Sequence, residues 1–176
     1  MKKKLATVWL GGCSGCHMSL LDIDERLLEV AKLADIVKSP VVDGKEFPEC
    51  DIALVEGALA NAEHEEEIHV IRRKTKVLVA FGDCAVTGNV SALRNAIPKD
   101  VVLKRSYLEV PGTVGGLIPN QEIAPLIDRV RPLHEAVKVD YYLPGCPPSA
   151  DLIFHVLFEL LHDRAPVLDQ EKLKYG

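Results

Sequence analysis

Five cysteines, Cys13, Cys16, Cys50, Cys84 and Cys146, carry most of the reactive chemistry in this chain. A thiolate is a soft ligand, and Cys13-Ser14-Gly15-Cys16 lets one small loop present two thiolates to one metal centre. Four thiolates suit a single iron–sulfur cluster. They also suit structural zinc, and the Cys-x-x-Cys pair alone suits a thioredoxin-like dithiol. The dithiol leaves Cys84 and Cys146 unexplained. Zinc sites more often use two paired knuckles, and an α/β domain of this length does not need a metal staple. A cluster held by Cys13, Cys16, Cys84 and Cys146 therefore leads, with zinc second and the dithiol third.

The elements that must position these thiols read as alternating strands and helices. Short apolar, β-branched runs at Leu5 to Leu10, Asp35 to Ser39, Asp51 to Glu56, Lys76 to Phe81 and Val139 to Leu143 are strand candidates. Helical spacing runs from Ser19 through Leu20, Ile23, Leu27 and Val30, with Ser19 and Asp22 resembling a capping box. Asn61 is placed to cap a helix that starts with glutamates and ends in Arg72, Arg73 and Lys74, the charge order a helix dipole favours. Val90 to Ala96 reads as a short helix. Ser149 reads as the cap of a long helix from Ala150 to about Asp163. Between 99 and 137 the pattern is irregular, with turns at Pro111-Gly112 and Gly115-Gly116 and helical turns expected from Gln121 to Val137.

No linker or repeat divides the chain, so residues 1–176 are expected to form one domain. Its class is α/β, a flavodoxin-like doubly wound parallel sheet with helices on both faces. In that topology the carboxyl ends of the strands share one edge, where ligand crevices form. Cys13, Cys16, Cys84 and Cys146 all follow such ends, and Glu56 joins the same rim. Cys50 precedes a strand and falls at the opposite edge. Gly12, Gly82 and Gly145 are expected to allow close backbone approach beside a cofactor.

Composition excludes several classes. The net charge is −5 with basic residues dispersed, unlike the concentrated basic face of a nucleic-acid binder. No apolar run nears the roughly 20 residues of a membrane span. Met1-Lys2-Lys3-Lys4 is followed by an apolar stretch too short for a signal peptide, so a cytoplasmic location is expected. In a reducing compartment the cysteines point to metal binding rather than disulfides.

Gly12-Cys13-Ser14-Gly15-Cys16-His17, Val55-Glu56-Gly57, Gly82-Asp83-Cys84-Ala85-Val86-Thr87-Gly88-Asn89 and Leu143-Pro144-Gly145-Cys146-Pro147-Pro148 together resemble the small subunits of nickel–iron hydrogenases. With the run from Ser19 to Leu28, the chain looks most like the short small subunit of cytoplasmic, bidirectional NAD-reducing hydrogenases. The resemblance implies one proximal [4Fe–4S] cluster on Cys13, Cys16, Cys84 and Cys146. It implies a large subunit holding the nickel–iron centre, and a diaphorase module carrying further clusters, FMN and NAD. Electrons would pass between the two; this chain would not split hydrogen itself. Many membrane-bound and periplasmic relatives carry two more clusters in a longer C-terminal region, and no cysteine follows Cys146 here. The related cluster subunit of respiratory complex I has adjacent cysteines where Ser14-Gly15 intervenes. F420-reducing and sulfur-reducing hydrogenases are the nearest rival relatives. No phosphate cradle for a flavin is visible.

Beyond the ligands, Glu56 reads either as an exposed strand-end carboxylate or as a group controlling the cluster or relaying a proton. His17 reads as a donor to a cluster sulfur or as a solvent-facing side chain. Asp83 and Asn89 are expected to organise the Cys84 loop, Asn89 as a helix cap. The last helix is apolar around so much of its circumference that burial on more than one side is expected, within the domain or beneath a partner.

Overall fold

The computed structural model describes residues 2–112, 116–168 and 173. In chain order the strands are β1 (Lys3–Trp9), β2 (Ala34–Lys38), β3 (Cys50–Glu56), β4 (Leu59–Asn61), β5 (Thr75–Phe81), β6 (Leu126–Arg131) and β7 (Tyr141–Leu143). The helices are α1 (Gly15–Leu21), α2 (Leu27–Leu33), α3 (Ala62–Lys74), α4 (Asp83–Thr87), α5 (Asn89–Ala92), α6 (Lys99–Tyr107) and α7 (Ala150–Leu161).

Five strands form one parallel sheet in the order β2-β1-β3-β5-β7. This is the flavodoxin-like order expected of a doubly wound sheet. The two-residue period of a strand sends neighbours to opposite faces. Leu5, Ile52, Leu54, Val79 and Phe81 pack with α7 and the α1–α2 segment. Ala6, Ala53, Val55, Leu78 and Ala80 pack on the other face with Ile68 and Ile71 of α3. Both faces are covered, which is why these strands read as continuous apolar runs.

Several local expectations hold. Asn61 caps α3, its side chain accepting the His64 backbone N–H at 2.8 Å. Ser149 caps α7, accepting the Leu152 N–H at 3.3 Å. The breadth of apolar surface on α7 is satisfied inside the domain: its leucines, isoleucine and valine are core residues. Arg26 covers the Phe154 ring at 4.8 Å, and Arg164 lies 5.8 Å from that of Phe158.

Other expectations are corrected. Helix α1 begins at Gly15, four residues ahead of Ser19, so Cys16 lies on the helix. Ser19 caps nothing; its buried hydroxyl donates to the Pro148 carbonyl at 2.6 Å. The helical pattern breaks at Asp22-Ile23, and Asp24 has a positive φ of 56°. Val90 to Ala96 is split into α5 and a 3-10 turn, Leu93–Ala96. The region from Gln121 holds strand β6, which pairs antiparallel with β4, and one helical turn, a 3-10 turn at Leu133–Glu135. A helix, α6, occupies the stretch read as irregular. The turn expected at Gly115-Gly116 involves Gly115, which lies outside the described residues.

Candidate iron–sulfur site

The rim at the carboxyl ends of β1, β5 and β7 gathers four of the five thiols. Cys13 and Cys16 follow β1, Cys84 is the second residue of α4 after β5, and Cys146 follows β7. All five cysteines are free thiols; Cys16 is buried, Cys84 intermediate, and Cys13 and Cys146 exposed. The four on the rim form a cup with a closed floor and an open mouth.

Gly82 makes the floor. Its φ is +83°, and an added Cβ would lie 2.1 Å from the Cys16 Sγ. Only glycine fits there, for both reasons. The adjacent loops are then tied together. Gly82 N–H donates to the Leu143 carbonyl at 2.8 Å and Asp83 N–H to the Gly145 carbonyl at 2.9 Å. The Asp83 carboxylate in turn accepts the Gly145 N–H at 2.7 Å. Asp83 thus organises the Cys84 loop as expected, by fastening it to the Cys146 loop. Asn89 is not a cap: it is the first residue of α5, and Gly88 occupies the capping position.

Burial pushes the Cys16 thiol strongly upward, and Glu56, Cys84, Cys13 and Cys146 add like-charge repulsion to its ionised form. Burial likewise raises Cys84, opposed by hydrogen bonds from Ser91 and reinforced by Cys146 and Cys13. Ionising these thiols together would need a neighbouring cationic centre to offset the repulsion. Among the described residues no three His, Cys, Asp or Glu side chains are grouped closely enough to hold a single metal ion. Four thiols at the carboxyl ends of strands of one sheet are the donor set that a four-cysteine cluster takes.

Glu56 is only 1% exposed, so the exposed-carboxylate reading is set aside. One carboxylate oxygen accepts the His17 backbone N–H at 3.0 Å and also contacts His17 Nδ1. A buried carboxylate requires such partners. His17 does not face solvent freely: its ring stands edge-on to Phe81 at 5.9 Å. Its Nε2 is buried and has no hydrogen-bond partner among the described residues.

Cys50 lies at the amino end of β3, beside Thr75 of β5, with Sγ 3.4 Å from the threonine hydroxyl. It is apart from the rim, as its sequence position implied. Ser91 is the residue that sequence reasoning missed. Its hydroxyl donates to the Gly11 carbonyl, two residues ahead of Cys13, at 2.7 Å. Its only sequence signal is that it falls within the loop following Cys84.

Comparison with known proteins gives a consistent set. Residues 13–160 match the family described as NADH ubiquinone oxidoreductase, 20 Kd subunit. An F420-non-reducing hydrogenase subunit from Methanothermobacter marburgensis is 42% identical over 165 residues, covering 91% of this chain and 54% of that protein. The chain thus spans about half the length of this relative. The delta subunit of the NAD-reducing hydrogenase HoxS of Cupriavidus necator is 39% identical over 168 residues, covering 93% and 80%. A chain in the crystal structure of an NAD+-reducing [NiFe]-hydrogenase in the H2-reduced state superposes with a TM-score of 0.97, at 43% identity over the whole of both chains.

Proposed function

This chain belongs to the family of the NADH ubiquinone oxidoreductase 20 Kd subunit, among its hydrogenase small subunits, and from that premise we propose that it is the electron-transfer subunit of a cytoplasmic NAD-reducing nickel–iron hydrogenase. In this reading Cys13, Cys16, Cys84 and Cys146 hold one [4Fe–4S] cluster. The cluster, when bound, supplies one-electron chemistry. The chain's own residues do the rest. Gly82 lets Cys16 reach the floor of the cup, Asp83 fixes the spacing of two ligand loops, and Glu56 adds a buried negative charge beneath them. The observation that carries the reading is the placement of Cys13, Cys16, Cys84 and Cys146 beyond the carboxyl ends of strands of one parallel sheet.

A large subunit with the nickel–iron centre and a diaphorase module with flavin and NAD complete the proposed complex. Support for a covering partner comes from the segment after Cys84. Helix α6 has no buried residue; its Val101 stands exposed, as do Val90, Leu93 and Ile97 on the run leading into it. Exposed apolar surface on that scale marks an interaction face. Among the described residues no helix is long and apolar enough to cross a membrane.

The test is metal analysis of the anaerobically purified complex after subunit separation. About four irons and four acid-labile sulfides on this chain are expected. One zinc without sulfide would overturn electron transfer and leave a structural site on an interaction module. Hydrogen-dependent reduction of NAD, with no reduction of F420 or sulfur, separates this assignment from an F420-reducing or sulfur-reducing hydrogenase.

Glu56 gives a second check. Glu56→Gln removes a buried negative charge beside the thiols, which is expected to raise the cluster's midpoint potential and slow turnover. Redox titration and hydrogen-uptake assays read both, and no change in either would leave Glu56 a purely structural residue.

A further inference from the structure

Cys146 is exposed and follows β7, a strand of only three residues. Pro147 and Pro148 come next, and neither has a backbone N–H to donate. From outside, these two residues can be hydrogen-bonded only through their carbonyls. Two residues bracket the loop, one on each side of Cys146. Upstream, the Asp83 N–H donates to the Gly145 carbonyl at 2.9 Å, and the Asp83 carboxylate accepts the Gly145 N–H at 2.7 Å. Downstream, the Ser19 hydroxyl donates to the Pro148 carbonyl at 2.6 Å.

Each bracket comes from an element that carries another rim thiol. Asp83 directly precedes Cys84, and Ser19 lies about one helical turn beyond Cys16 on α1. The bond at Ser19 joins two sides of unequal firmness. Ser19 is 6% exposed, and Cys16 and Ile23 on either side of it belong to the core on that face of the sheet. Cys146 and Pro147 are exposed. When the bond is lost, α1 stays seated and the Cys146 loop is the side that gives. Pro148 is buried, so water is a poor substitute for the lost donor.

We propose that Ser19 is a positioning residue that holds the Cys146 thiol at the rim by fastening its loop to the helix of Cys16, so that the Cys146 corner opens first when the hydroxyl is removed. The inference rests on the cluster reading given above. Outer partners that orient a ligand are a general determinant of how firmly a metal site is held. Here the partner acts on the ligand's backbone rather than on its sulfur.

The experiment incubates the anaerobically purified wild-type complex, Ser19→Ala and Ser19→Thr with a ferrous chelator and iodoacetamide. Iron release is followed with time, and peptide mass spectrometry reads which cysteine of this chain is alkylated as it comes free. Ser19→Ala is expected to be isolated with its iron and sulfide. Its Cys146 is then expected to be alkylated before the other rim thiols and about tenfold faster than in the wild type, the factor that one buried hydrogen bond carries. Cys50, 4% exposed at the far edge of the sheet, reports global opening and is expected to stay unlabelled over that interval. Ser19→Thr, which keeps the hydroxyl, is expected to follow the wild type. Cys146 alkylated at the wild-type rate in Ser19→Ala, or all four rim thiols accelerated together, overturns the inference. A Ser19→Ala isolated without iron is compared with wild type stripped by the same chelator. Faster alkylation of Cys146 with Cys50 still protected then upholds the inference, whereas an equal rate, or Cys50 opening with Cys146, overturns it. Iron and sulfide absent from the wild type would overturn the cluster reading itself, and this inference with it.

Discussion

Cys84→Ser is expected to cut the iron and sulfide of this chain by at least about tenfold, while Cys50→Ser leaves both unchanged. The two thiols differ in surroundings rather than in kind. Cys84 lies on the rim with Cys13 and Cys146, and their charges would push its thiol upward. A serine oxygen is a harder, more basic ligand than a thiolate, and it leaves one corner of the cup without its soft donor. Cys50 is at the far edge of the sheet, 4% exposed, with its Sγ beside the Thr75 hydroxyl. A serine there keeps a hydrogen bond to that hydroxyl, so the cost is expected to be about 1 kcal/mol and confined to stability. Equal loss of iron in the two variants would refute the ligand set. Metal analysis and thermal unfolding separate the outcomes.

Gly82→Ala is expected to be nearly as damaging to the site without touching a ligand. The added methyl meets Cys16 Sγ head-on, in a backbone conformation that L side chains rarely adopt. Strain and overpacking together are expected to cost about 2 kcal/mol or more, lowering the melting temperature of a chain this size by about 4–8 °C. Cluster content is expected to fall as well, because the sulfur that must yield is a proposed ligand. Gly112→Ala is the control. Gly112 has a similar φ of +95°, but an added Cβ meets nothing within 4 Å among the described residues. It is expected to cost about 1 kcal/mol from backbone strain alone and to leave iron content intact. If the two variants behave alike, the close approach of Cys16 to Gly82 does not matter to assembly.

Much of the frame was legible in the sequence because parallel strands covered on both faces must be apolar throughout. The runs around Leu5, Ile52, Val77 and Tyr141 mark four of the five sheet strands for that reason. The sheet order then explains why the thiols of Cys13, Cys16, Cys84 and Cys146 converge. What escaped detection lacked an apolar signature. Helix α6 buries no residue, so it shows no helical periodicity to read. Strand β6 is short, charged and flanked by Pro125 and Pro132, and its partner β4 has three residues. The start of α1 was obscured because Ser14 adopts a left-handed φ of 68° directly before the helix, in place of a capping side chain. The Glu56–His17 contact joins side chains 39 positions apart, which spacing alone does not announce.

The sheet's register also orders events in time. Strand β7 joins the sheet through three residue pairs with β5, whereas β3 pairs with β5 at six positions and with β1 at five. Pairing that closes a long stretch of chain is kinetically slow, because loop entropy is lost before contacts compensate for it. β7 is therefore expected to be the last strand to zip, with Cys146 the last thiol to reach the rim. A maturation system delivering iron and sulfide would meet a nascent chain offering Cys13, Cys16 and Cys84 before the fourth corner exists. Metal capture would then act as a latch on that edge strand, coupling completion of the fold to loading of its cofactor.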